Sequence, residues 1–241
     1  MSKKPSPSPR CFVLGDLHGA HKALLQCLER SRFDRDTDSL IALGDLCDGW
    51  PEVDRCLDEL SGLKHCTFIR GNHDLWALEW ATQGSVSETW LEQGGANTIA
   101  SYRGEPMPAS HRAFLEKGLW WHEHDERLYV HAGFDPSKPI QSQPVTELVW
   151  QRTLVTDAVC ALQYRRDFSV PGYKEVFIGH TPTTIWKSDR PLRSGNLWLM
   201  DTGAGHGDRL TLMDVETKEV YASDPVRDLY PGIRPRDKMC A

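Results

Sequence analysis

The chain has 241 residues, of which 39% are hydrophobic and 26% charged, and its formal net charge is −6. That length can bury a substantial core as one large domain, and no apolar stretch approaches the roughly 18 residues that a bilayer span needs. With acidic residues in excess and no Lys/Arg block, composition argues against bulk electrostatic binding to nucleic acid or to an acidic membrane.

The N-terminal run MSKKPSPSPR has two lysines with no apolar segment behind them, so residues 1–10 read as a disordered tail and not as a secretory signal. Seven cysteines, odd in number and without a CxxC pair, read as free thiols in a reducing cytoplasm. Residues 11–15 form an apolar strand, and the helix after it carries Ala23, Leu24, Cys27 and Leu28 on one face. A second strand at 39–43 leads into a helix that opens at Pro51 and aligns Val53, Cys56, Leu57 and Leu60. The third strand, 65–69, precedes a helix from about 73 to 82. Such alternation implies a largely parallel sheet, whose ligands sit outside the carboxyl ends of its strands.

Residues 84–126 are Trp-bearing and broken by Gly94-Gly95 and EPMPAS, which predicts a helical insertion or cap. Short strands follow at 127–133, 174–182 and 196–205, with meander-like pieces at 209–215 and 219–224, and together they predict a second sheet. The main domain is expected over 11–225, and 226–241 reads as a C-terminal tail.

Polar side chains gather where these strands end. The first strand closes on Asp16 and His18, the second on Asp45 and Asp48, and the third on Asn72, His73 and Asp74, while His131 and His180 follow two later strands. Oxygen and imidazole donors together suit manganese, iron or zinc better than magnesium or calcium. Six ligands (Asp16, His18, Asp45, Asn72, His131 and His180) are too many for one tetrahedral ion, so two ions sharing Asp45 are expected. Asp74 reads as the start of its helix, and His206 and Asp201 lie in a glycine-rich turn near the same strands. The other histidines and tryptophans read as packing or solvated groups.

The ordered blocks GDLHG, GDLCDG and GNHD, a lone His after a strand, and GHT resemble the calcineurin-like metallophosphoesterases over residues 11–222. Within them the chain is similar to the phosphoprotein phosphatases, both the phage lambda and bacterial serine/threonine enzymes and the bacterial diadenosine tetraphosphatases. The resemblance implies an α/β fold of two mixed β-sheets packed face to face with flanking helices. It implies Asp16, His18 and Asp45 around one metal and Asn72, His131 and His180 around the other, with Asp45 bridging. His73 would be the general acid, oriented by Asp48, and Arg70 and Arg152 would hold phosphate oxygens. Two divalent ions, manganese first and iron or zinc as alternatives, would activate a bridging hydroxide as the nucleophile.

One departure bears on substrate. Both subgroups carry Arg directly after the position of Asp48, whereas this chain reads Asp48-Gly49-Trp50-Pro51, so one phosphate fork is missing and Trp50 is a candidate to stack on a leaving group. Asp48 itself favours the protein-phosphatase side, while GNHDLWAL and MDTGAGHGDRLT look like the tetraphosphatases. The expected activity is hydrolysis of phosphomonoesters such as phosphoserine or phosphothreonine, on a phosphorylated protein or a small phosphoester, with no membrane or stable nucleic-acid partner. Alternatives are a dinucleoside polyphosphate or phosphodiester hydrolase and, in another class, a metal-holding module that binds a phosphorylated ligand without turnover.

Overall fold

The structure, a computed structural model, describes residues 9–235. In its first half β1 (Cys11–Leu14), α1 (His21–Ser31), β2 (Ser39–Ala42), α2 (Val53–Ser61), β3 (Cys66–Phe68) and α3 (Asn72–Gln83) alternate as the periodicity predicts. Next come α4 (Glu88–Trp90), a wide turn over Leu91–Gly95, α5 (Ala96–Ser101) and α6 (Ala109–Glu116). The second half runs β4 (Trp121–His124), β5 (Arg127–Val130), α7 (Val145–Trp150), α8 (Thr153–Gln163), β6 (Glu175–Ile178), β7 (Leu192–Ser194), β8 (Leu197–Leu199), β9 (Thr211–Asp214), β10 (Val220–Ala222) and α9 (Val226–Leu229).

Two five-stranded sheets result, ordered β10-β9-β1-β2-β3 and β4-β5-β6-β8-β7. The strands β1, β2 and β3 are mutually parallel, with β9 antiparallel to β1; β5, β6 and β8 are parallel, with β4 and β7 antiparallel at the edges. The period of two along each strand builds the layers. Val13, Tyr129 and Phe177 face inward and join Ile41, Leu43 and Met200 in a core between the sheets. Phe12 and Leu14 face outward onto the apolar stripes of α1 and α2. Leu128, Val130, Val176 and Ile178 face α8 on the other side. Each such buried side chain contributes roughly 1.5–3 kcal/mol, so the helix–sheet–sheet–helix stack is fixed by many small terms. The fold is the two-mixed-sheet α/β sandwich that the sequence predicts.

Three segments differ from expectation. The end of the 84–126 stretch is a strand, because Asp125 and Glu126 adopt φ of 50° and 58° and fold β4 back onto β5 as a tight hairpin. Neither residue is the glycine or asparagine that normally announces such a turn. The helix α8 was not foreseen, and it covers the second sheet with Leu154, Val155, Ala158 and Val159. Packing also continues past 225: Val226 and Tyr230 are buried, and the Tyr230 ring stacks on Trp50 at 5.2 Å. The predicted tail residues 1–8 and 236–241, with Cys240, lie outside the described residues; the six described cysteines are unbridged. Among the described residues no helix is long and apolar enough to cross a membrane.

Candidate metal centre

Parallel pairing of β1, β2 and β3 sets the three polar strand ends side by side, and β5 and β6 bring His131 and His180 from the facing sheet. His18, Asp45, Asp48 and His180 all take positive φ, between 49° and 68°. Each such conformation costs of order 1–3 kcal/mol and persists only where neighbours enforce it. Here Leu17 N and His18 N both donate to the Asp45 carbonyl, at 3.1 and 2.8 Å. Asp74, wholly buried, accepts from Leu46 N (2.8 Å), Cys47 N (3.1 Å) and Gly71 N (2.9 Å), so one carboxylate cross-links two of the loops. Burial and the Asp45 charge push the Asp74 carboxyl up against the pull of those donors. Gly71 is required at its position, since a Cβ there would lie 2.1 Å from Asp45 Oδ1 and 2.7 Å from His131 Cε1.

Two clusters share Asp45. His18, Asp45 and His73 form one and Asp45, His131 and His180 the other, each with its ligand atoms within 4.8 Å of one another. His131 donates Nδ1–H to the Leu43 carbonyl at 2.8 Å, which fixes the tautomer and turns Nε2 toward Asn72 Oδ1 (3.2 Å) and Asp45 Oδ1 (3.5 Å). Burial pushes the pKa of His131 down to about 4, so the ring is neutral, as a metal ligand must be. His18 makes the equivalent contact through Nδ1 to the Cys47 carbonyl at 3.2 Å, and its Nε2 lies 3.6 Å from Asp45 Oδ2. This donor set, with tautomers set by backbone carbonyls and one carboxylate in common, fits a pair of divalent ions. Asp16, expected in the first set, is outside both clusters; its carboxylate receives His180 N at 3.1 and 3.0 Å.

His73 meets the other expected partner. Its Nδ1 lies 2.7 Å from Asp48 Oδ2, and its backbone N–H donates to Asp45 Oδ1 at 3.0 Å. Asp48 is fully buried and also accepts from Trp90 Nε1 (3.0 and 2.9 Å) and Thr98 Oγ1 (2.6 Å). Neither Trp90 nor Thr98 was a sequence candidate, because they lie in the irregular insertion with no strand-end pattern to mark them.

A cleft of about 800 Å³ opens over these groups and is lined by His18, Asp45, Asn72, His73, His180, Asp201 and His206. The insertion adds Thr89, Glu92 and Gln93, and Trp76, Trp150, Pro182 and Ile185 make an apolar side. Arg152 lines it too, the sole Arg or Lys among the described residues that do. Two side chains lie elsewhere than expected. Arg70 is not among the residues that line the cleft, and its guanidinium lies 3.8 Å over the Trp120 ring, a cation–π contact. Trp50 is not at a rim but is fully buried, donating Nε1–H to the Ala204 carbonyl at 2.8 Å.

The sequence profile of the family described as calcineurin-like phosphoesterase matches residues 9–204. The chain is 29% identical over 214 residues to serine/threonine-protein phosphatase 1 of Salmonella typhimurium, covering 85% of this chain and 91% of that one. It is 25% identical over 269 residues to the symmetrical bis(5'-nucleosyl)-tetraphosphatase of Nitrosospira multiformis, covering 88% and 95%. A solved candidate diadenosine tetraphosphatase shares the fold with a TM-score of 0.69 at 18% identity, over 91% of this chain and 95% of that one.

Proposed function

The chain belongs to the calcineurin-like phosphoesterases and is a metal-dependent phosphatase, and from that premise we propose that it hydrolyses phosphomonoesters of alcohols, with phosphoserine and phosphothreonine side chains as the substrate class. Asp16, His18 and Asp45 would hold one ion and Asn72, His131 and His180 the other, with Asp45 shared. When bound, two divalent ions, manganese first and iron or zinc as alternatives, neutralise phosphoryl oxygens and acidify a water. Arg152 pairs with the remaining phosphoryl oxygens at the cleft wall. As the P–O bond breaks, its electron pair stays on the leaving oxygen, which takes a proton from His73 Nε2; the water supplies the new oxygen on phosphorus. Asp48 holds the opposite ring nitrogen.

The observation that carries this reading is the 2.7 Å contact between His73 Nδ1 and a fully buried Asp48. An alkoxide is a poor leaving group and needs a proton in the transition state, whereas a nucleotide released from an anhydride leaves without one. A second reading, hydrolysis of a dinucleoside polyphosphate, is favoured by Trp150, which is 43% exposed beside Trp76 (ring centroids 5.2 Å apart) and offers a face for a nucleobase.

The test compares kcat/KM on a phosphothreonine peptide, a simple phosphodiester and diadenosine tetraphosphate with added Mn²⁺. A peptide preference of tenfold or more, about 1.4 kcal/mol of transition-state discrimination, is expected. A preference for the dinucleotide would replace the first reading by the second.

A further inference from the structure

The insertion between α3 and α6 carries more than packing. Trp90 is 1% exposed and Thr98 fully buried, and both point their donors at one carboxylate, Asp48. Thr98 closes a two-way bridge, donating Oγ1–H to Asp48 Oδ1 at 2.6 Å and accepting Asp48 N at 2.9 Å. The indole N–H of Trp90 spans both oxygens, while His73 takes Oδ2. Trp90 is held in turn by Gly95, where a Cβ would lie 2.3 Å from Cε2 of the indole, and its backbone N–H by the Ser87 hydroxyl.

We propose that Trp90 and Thr98 are positioning residues for proton transfer: they fix the rotation of the Asp48 carboxylate so that Oδ2 captures His73 Nδ1–H and the ring presents Nε2 to the leaving oxygen. This rests on the reading of His73 as the proton donor. Two neutral donors suit the task, because they orient the carboxylate without a cation that would compete with the imidazole for it. With either donor removed the carboxylate is held by one group fewer, and rotation about its Cβ–Cγ bond would let the imidazole tilt so that the proton would miss the leaving oxygen. The insertion thus belongs to the reaction although neither residue lines the cleft.

The experiment pairs Thr98→Val, which removes the hydroxyl, with Thr98→Ser, which keeps it, and adds Trp90→Phe. Each is assayed on an alkyl phosphate and on p-nitrophenyl phosphate, whose phenolate leaves without a proton. Since an acid contributes typically 10²–10⁴-fold, Thr98→Val and Trp90→Phe should lose about tenfold or more in kcat on the alkyl ester and under about threefold on the aryl ester. Thr98→Ser should retain the alkyl activity. On a His73→Asn background neither change should lower alkyl turnover further. In the metal-free protein the low-field Nδ1–H proton resonance of His73 should weaken in Thr98→Val and persist in Thr98→Ser. Equal losses on both esters, additive losses with His73→Asn, or an unmoved resonance would overturn the proposal. If His73→Asn itself shows no leaving-group dependence, the acid reading fails first and takes this inference with it.

Discussion

Replacing Asp74 by Asn tests whether one buried carboxylate holds the metal-site loops together. An asparagine could keep its oxygen toward Leu46 N and Cys47 N, but its NH₂ would then face the Gly71 N–H that now donates at 2.9 Å. The loss of a charge-assisted bond and a stranded buried donor cost about 2–4 kcal/mol together. Against this, the neutral side chain escapes the burial beside Asp45 that pushes the Asp74 carboxyl up. The net expectation is a loss of about 2 kcal/mol, or about 4–8 °C in Tm for a domain of this size. Because the bonds tie the Asp45 loop to the Gly71–Asn72 turn, affinity for both ions should fall as well. Thermal unfolding of chelator-treated protein and calorimetric titration with Mn²⁺ measure the two effects. Unchanged Tm together with unchanged affinity would refute the cross-link.

Asp45→Asn should weaken both ions at once, since each cluster uses this carboxylate; retention of two tightly bound metals on equilibrium dialysis would refute the shared ligand. His131 gives a pH dependence. Its pKa is about 4 when folded, below the 6.5 of an ordinary imidazole, so the unfolded chain binds the proton more readily and stability falls as pH drops from about 6.5 to about 4. Denaturant melts of metal-free protein across that window should show the loss, and the slope should flatten in His131→Asn. Trp150→Ala should raise KM for an aryl or nucleoside phosphate several-fold, about 0.5–1.5 kcal/mol for a lost aromatic contact, with little change on an alkyl phosphate; equal effects on both would remove the stacking role.

Much of the site was legible because parallel strands expose their carboxyl ends together, and GDLHG, GDLCDG and GNHD each mark such an end. Local pattern therefore located Asp45, His73, His131 and His180 before any tertiary contact was known. It did not give side-chain direction where a partner far along the chain decides it. Arg70 sits beside the third strand end as predicted, yet Trp120 captures its guanidinium. Trp50 follows the second strand end, yet Tyr230 stacks on it from a segment read as a tail. Trp90 and Thr98 were invisible for the same reason: what matters is the carboxylate they meet, and nothing near them in sequence names it. The β4–β5 hairpin was missed because two non-glycine residues take its left-handed turn.

The residue after Asp48 shows how fold and substrate choice become one problem. Gly49 has φ 85°, donates its N–H to the Gly94 carbonyl at 3.1 Å, and offers its own carbonyl to Asn97 Nδ2. A Cβ on Gly94 would lie 2.4 Å from Gly49 N, and one on Gly49 would lie 3.1 Å from the His18 Cβ and carbonyl. A side chain at 49 is therefore opposed by strain in the left-handed region and by the close approach of His18. The insertion that supplies Trp90 and Thr98 to Asp48 also fixes the Gly49 backbone, through the Gly94 carbonyl and Asn97 Nδ2. On the proposed function, phosphate charge would fall to Arg152 and the bound ions, and the same insertion would orient His73 through Asp48.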